Sequence, residues 1–407
     1  MNCALLMFFI SVCKAQKHFK EQFSWWNIDY DFPNGEEKRK FIESGAYVQG
    51  NSLISSIDKW YDKIFLAVPR LKNGVPSTLN YISTADAYTK APNLKPYPSW
   101  DFNENTNKTL KGKKMVSVIS LYVDKCSRLW ALDTGIVEEL KIKKSESPPS
   151  LHIFNLNDDK IIRRYVLKEE DYKWDSRFTN IVVENSHGNC EYSYAYLADS
   201  KNGLVVYNWD RNKSYQIKHN YFSFEPIWGI LKTGSGRTIQ VDNGIQGMAL
   251  FMMDLEGYRK LFFNPMAGIN EFSVSTKILQ NKTWAMDSID DFHFVGERGL
   301  NSQSSASIFD QDTGVLFYTA FTKNCIMCWN SFRGVEFSAE HHGIVDQFQT
   351  VPGSYLADIK LDSNGMLWIL TNDLLDFLYE KNYSKIPYRI FSGVSRQVIK
   401  GTPCEPL

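Results

Sequence analysis

No run of about eighteen consecutive apolar residues, the minimum for a membrane-crossing helix, occurs anywhere in this chain of 407 residues. An excess of charge is missing too. The 46 Lys and Arg side chains face 46 Asp and Glu, so no long-range field draws the protein to a phosphate backbone or an anionic lipid surface. Neither nucleic acid nor membrane is an expected partner. Catalytic signatures are scarce as well: there is no H-E-x-x-H, no G-x-S-x-G and no P-loop. Gly234-Ser235-Gly236 lacks the flanking spacing of a nucleophile elbow or a phosphate cradle. The seven histidines are scattered, and on a strand the adjacent His341 and His342 point to opposite faces. No metal and no cofactor are therefore expected.

What is present is core-forming material, 43% hydrophobic and 14% aromatic, which excludes a disordered chain. Ala4 to Cys13 is a mostly apolar stretch followed by Lys14 and the small Ala15. Residues 1–15 read as a secretory signal peptide, which places the mature protein, 16–407, outside the cell. In that oxidising compartment paired cysteines are the default. Removing Cys3 and Cys13 with the signal leaves Cys126, Cys190, Cys325, Cys328 and Cys404, enough for two bridges and one spare thiol. The lone Cys325-x-x-Cys328 has no matching ligand pair for zinc. Four sequons, at Asn107, Asn212, Asn281 and Asn382, suit a secreted glycoprotein.

Long helical periodicity is sparse, whereas short β-branched and aromatic runs bounded by turns recur, so the fold class reads as all-β. Five Asn-Gly pairs, beginning at Asn34, Asn73, Asn202, Asn243 and Asn364, signal tight hairpins. A turn followed by an apolar strand repeats in six units anchored on Leu66, Trp130, Tyr196, Phe262, Phe317 and Trp368, spaced by 64, 66, 66, 55 and 51 residues. Each interval accommodates one four-stranded sheet, and six of them predict a six-bladed β-propeller forming a single domain, with segment 16–45 leading into the blades. Trp130 and Trp368 hold equivalent places in two units, which predicts core packing. Asp124, Asp312 and Asp362 fall where hairpins turn, and there an aspartate caps its own backbone.

Several stretches carry a family resemblance: IDKWYDKIFLAVPRLKNGVPSTLNYIS (57–83), PNLKPYPSWDF (92–102), DKCSRLWALDTG (124–135) and NGIQGMAL (243–250). Gln303-Ser304-Ser305-Ala306, Cys328-Trp329-Asn330 and Gly401-Thr402-Pro403-Cys404 add to them. Over essentially the whole mature chain the sequence resembles the insect yellow and major royal jelly protein family. Asp29-Tyr30-Asp31-Phe32 and the Gln-Ser-Ser-Ala element look closer to the royal jelly branch. The resemblance implies a six-bladed propeller, bridges Cys126 to Cys190 and Cys328 to Cys404, and an unpaired Cys325 that is buried and inert.

It also implies candidate functions. Some yellow-type members are associated with dopachrome conversion, for which no base or oxyanion-stabilising group is identifiable in this sequence. Salivary members bind biogenic amines in the propeller channel. Their pocket positions fall here on Ile119, Gln246, Ala357, Asn372 and Leu374, of which Asn372 alone keeps the family residue. Without the aromatic walls the cation-π partners of an ammonium are gone. A more aliphatic pocket suits an apolar or sterol-like ligand, with Asn372 either orienting one polar group or forming a strand-end turn. The expectation is a non-catalytic small-molecule binder or extracellular interaction protein, capable of forming an oligomer. A dopachrome-type enzyme and a nutritional or storage protein are the alternatives.

Overall fold

The computed structural model describes residues 18–103, 114–137, 144–233, 236–348, 355–379 and 388–406. The leader expected at 1–15 and the sequons at Asn107 and Asn382 lie outside them. Within them the protein is all-β, with six four-stranded antiparallel sheets and two two-stranded ribbons. Four of the sheets are built from consecutive strands, and in a fifth the ribbon Ile136–Val137 with Lys144–Ser145 intervenes between its second and third strands. The sixth takes its outer strand, Lys20–Trp25, from the N-terminal segment, paired antiparallel to Tyr388–Val394.

All six repeat anchors sit on the second strand of a sheet. The leading strands are Ser56–Trp60, Val118–Val123, Phe178–Asn185, Ile245–Leu250, Ser307–Asp310 and Tyr355–Leu361. Each packs beside the leading strand of the next sheet, and the sixth beside the first. Burial follows this cycle. Trp130 and Ile153 of the second sheet pack with Tyr207 and Leu197 of the third, and Phe317 of the fifth packs with Ile359 and Ile369 of the sixth. Comparable clusters fill the other junctions.

Polar side chains tie the same junctions together. Ser55 Oγ donates to Ile119 O at 2.7 Å, Ser120 Oγ to Asn180 Oδ1 at 3.3 Å, and Asn180 Nδ2 to Gln246 O at 2.9 Å. Asn264 Nδ2 donates to Ser304 O at 3.0 Å, and Ser305 Oγ to Leu356 O. Asp358 closes the cycle, accepting from Ser56 Oγ at 2.7 Å and Ile57 N at 3.0 Å. Gly247 makes room for one of these ties, because a Cβ there would lie 2.1 Å from Asn264 Oδ1.

Turn chemistry matches expectation in part. Asn202-Gly203 and Asn364-Gly365 turn hairpins, with both glycines at positive φ. The other three Asn-Gly pairs do not. Asn34 caps the helix Gly35–Glu43 by accepting from Glu37 N, Asn73-Gly74 lies in a loop after the Lys63–Ala67 strand, and Asn243-Gly244 immediately precedes a leading strand. Asp124 and Asp362 cap their turns, and each also accepts the indole N–H of the tryptophan six residues on, Trp130 at 2.9 Å and Trp368 at 3.0 Å. Both indoles are buried in the core. In the fifth sheet the capping residue is Asp310, not Asp312. Asp310 accepts from Asp312 N at 3.0 Å and Thr313 Oγ1 at 2.9 Å, while the Asp312 side chain is exposed beside Arg396.

The bridges Cys126–Cys190 and Cys328–Cys404 are both formed, with Cα atoms 5.9 and 6.2 Å apart. Cys325 is the free, fully buried thiol, and burial pushes its pKa up to about 12. As a thiol rather than a thiolate it is unreactive. His341 and His342 are not on a strand, since His341 ends a short 3-10 turn before Gly343–Gln347. Their rings still diverge: His341 Nδ1 lies by Ser338 Oγ at 3.0 Å, and His342 Nδ1 by Tyr318 Oη at 2.5 Å.

Candidate functional site

Residues of five leading strands, and Ser305 and Ala306 just before the other, line a cavity of about 420 Å³. The five residues singled out in the sequence, Ile119, Gln246, Ala357, Asn372 and Leu374, all line it. A shared backbone device places three of them. In four of the six leading strands the pairing register slips by one residue, and the extra residues are Ile119, Thr179, Gln246 and Ala357. Such a bulge interrupts the in-out alternation and re-aims one side chain. Here every bulged residue faces the cavity. Thr179 is the member that sequence reading missed.

Asn372 and Leu374 come from the other side of the last sheet. Asn372 ends the Met366–Asn372 strand, and Leu374 begins the short helix Leu374–Tyr379. That helix and nearby loops supply an apolar wall that includes Leu53, Leu71, Val241, Met266, Leu375 and Leu378. Asn372 is buried and engaged at both ends of its amide, donating from Nδ2 to Ile54 O at 2.8 Å and accepting Leu374 N–H on Oδ1 at 3.0 Å. It forms the strand-end turn that its Thr-Asn-Asp sequence suggests.

Both charged groups of the lining, Asp358 and Arg177, hydrogen-bond within the protein. Asp358 accepts four hydrogen bonds, from Ser56 Oγ, Ile57 N, Ile359 N at 2.9 Å and Lys360 Nζ at 2.9 Å. Beyond it, Asp58 accepts from Val123 N at 2.6 Å. Burial pushes the Asp58 carboxyl up to about 7 against the pull of Lys360. Arg177 donates to Asp242 at 3.3 Å and to Asn243 Oδ1 at 3.2 Å, and Lys201 also pairs with Asp242. Among the described residues no three His, Cys, Asp or Glu side chains are grouped to hold a metal ion.

Two uncharged polar groups of the lining, Gln246 and Tyr355, stand next to each other. Among the described residues, the Gln246 amide has one partner, the Tyr355 hydroxyl, 3.5 Å from Nε2, a separation at which a hydrogen bond is weak. Tyr355 begins the sixth leading strand, packs against Phe321 with ring centroids 4.8 Å apart, and lines the cavity. Burial pushes its pKa up to about 12, so at neutral pH it is a hydrogen-bond donor and not a base. No motif marks Tyr355 in the sequence, and its place is set by the register of the last sheet.

The profile of the major royal jelly protein family matches residues 116–404, more than half of the chain. The chain belongs to the yellow and major royal jelly protein family. Among relatives of this family member, the protein yellow of Drosophila melanogaster is 34% identical over 394 residues, covering 96% of this chain and 71% of its own. Protein yellow of Drosophila erecta is 33% identical over 394 residues, with the same coverage of 96% and 71%. Among solved structures, a structural genomics protein of unknown function from Bacteroides thetaiotaomicron superposes with a TM-score of 0.50 at 9% identity, covering 92% of this chain and 75% of its own. That likeness is one of fold alone.

Proposed function

We propose that this family member is a secreted six-bladed β-propeller that holds a small, largely apolar molecule in its central channel without transforming it. The propeller reading rests on six four-stranded sheets whose leading strands neighbour one another in a closed cycle. The N-terminal strand in the last sheet supports treating 16–407 as one domain, because it leaves the cycle no open seam. Secretion is supported by the two bridges, which persist in oxidising compartments, and by the apolar run at Ala4 to Cys13. Asn212 is exposed at a turn and Asn281 is half-buried at a helix N-cap. Both are proposed glycan acceptors, with Asn107 and Asn382.

The observation that carries the binding function is the convergence of four bulged residues and an apolar helix on one cavity. Its volume lies within the range typical of small-molecule sites. Catalysis is less well supported, because a general base needs a free lone pair facing the substrate. The lining carboxylate Asp358 spends its lone pairs on four protein donors. The test is native mass spectrometry of protein purified from its own secretion, followed by denaturing extraction. A stoichiometric small molecule released on unfolding is the expected result. A mass accounted for by polypeptide and glycans alone, together with dopachrome turnover in the same sample, would overturn it in favour of an enzyme.

A further inference from the structure

Granting the cavity as the ligand site, a reading on which this inference rests, the polar groups around it restrict the chemistry of the occupant. An ammonium needs an acceptor with spare negative charge, and Asp358 has none, being held by Lys360 and three further donors. An organic anion needs a buried cation, and the lining's Arg177 is 40% exposed and donates to Asp242 and Asn243. Burying an uncompensated ion is costly, so a charged occupant is disfavoured in either sign. The obvious amide, Asn372, is already committed to Ile54 O and Leu374 N.

Among the uncharged polar groups of the lining, Gln246 and Tyr355 are adjacent. The Tyr355 hydroxyl is shared with Ser305, and among the described residues the Gln246 carbonyl oxygen has no donor. Side by side, on the bulge of the fourth leading strand and at the start of the sixth, they present the Gln246 amide N–H and carbonyl next to the Tyr355 hydroxyl. A hydroxyl or ketone oxygen satisfies this arrangement. An alkyl body then lies along the wall formed by Leu53, Leu71, Leu375 and Leu378. We propose that the ligand is an uncharged, apolar molecule ending in a single oxygen function, an alcohol or a ketone, and that Gln246 and Tyr355 read that oxygen.

The experiment uses the full-length secreted protein and the neutral fluorescent reporter N-phenyl-1-naphthylamine. The reporter is displaced with decan-1-ol, decan-2-one, decylammonium and decanoate, first from the wild type and then from the double variant Gln246→Leu, Tyr355→Phe. Expected is displacement by the alcohol or the ketone at roughly tenfold lower concentration than by the two ions, the scale of one or two net hydrogen bonds. The relative order of alcohol and ketone tells which oxygen is preferred. In the double variant the preference, measured as displacement relative to that variant's own reporter affinity, falls by about tenfold. Equal displacement by all four probes, or a preference unchanged in the double variant, overturns the assignment to Gln246 and Tyr355 while leaving the cavity reading intact. Absence of saturable reporter binding, with no response to any probe, overturns both.

Discussion

Asp58 shows how a single buried carboxyl in this fold shapes behaviour beyond its own contacts. Its neighbours are Lys360, Asp358 and the hydroxyl of Tyr122, and burial holds its folded-state pKa near 7, against about 3.9 in an unfolded chain. Between those values the native state binds more protons than the unfolded one, so the stability this group confers is full at low pH and is lost as pH rises towards 7. Buried Glu271, also raised to about 7 by burial despite its Arg298 partner, acts in the same direction. Asp133 opposes them. Burial is the largest influence on it and raises its pKa, but His152 and the backbone N–H groups of Val116 and Ser117 together outweigh burial and leave it depressed, so its contribution falls away only in acid. The expected outcome is that Asp58→Asn flattens the decline of unfolding free energy between about pH 4 and about pH 7, measured by urea denaturation across that range. An unchanged slope would place the titration elsewhere. None of this is legible in the sequence, where Asp58 is one more charged residue in IDKWYDK. Asn372 was legible, and the structure shows its amide occupied with the backbone.

Among the elements, the repeat grammar carried most of the fold. A turn followed by an apolar strand located the second strand of all six sheets, because that strand is buried on both faces and reads as a continuous apolar run. The leading strands are harder to read. They line a cavity on one edge, mix polar with apolar residues, and in four cases break alternation with a bulge, so period-two patterning fails at the site itself. Thr179 and Tyr355 were missed for that reason. Ile119, Gln246 and Ala357 were found because family motifs fixed their positions. Asn-Gly pairs overpredicted hairpins because the same dipeptide also caps a helix at Asn34 and turns loops. The N-terminal strand Lys20–Trp25 offers the clearest test at this scale. It buries Phe23 and Trp25 completely or nearly so, and the indole of Trp25 donates to Pro92 O at 2.9 Å. At about 1.5–3 kcal/mol for each large apolar side chain, and with the Tyr388–Val394 edge left unpaired, deleting Lys20–Trp25 should cost on the order of 5 kcal/mol. Thermal unfolding and size-exclusion chromatography should show a lower midpoint and aggregation. A midpoint within a degree or two of the full chain would mean that the last sheet does not depend on that strand.

For the whole molecule, balanced charge, two bridges and a cycle of neighbouring sheets accompany a cavity where the four bulged residues meet. Its lining mixes aliphatic side chains such as Leu53 and Leu375 with the amides of Gln246 and Asn372. A ligand seated in this cavity requires the space to be open. Ala357 lies on a bulge, has a small side chain and faces the cavity, so Ala357→Trp should fill the space with little disturbance of the junctions. The most direct measurement is a fluorescence titration of N-phenyl-1-naphthylamine into the wild type and Ala357→Trp, with unfolding midpoints recorded on the same samples. One saturable site in the wild type, lost in the variant at an unchanged midpoint, is the expected result. Equal binding by both folded proteins would contradict the account and move the ligand, and with it the function, to another surface.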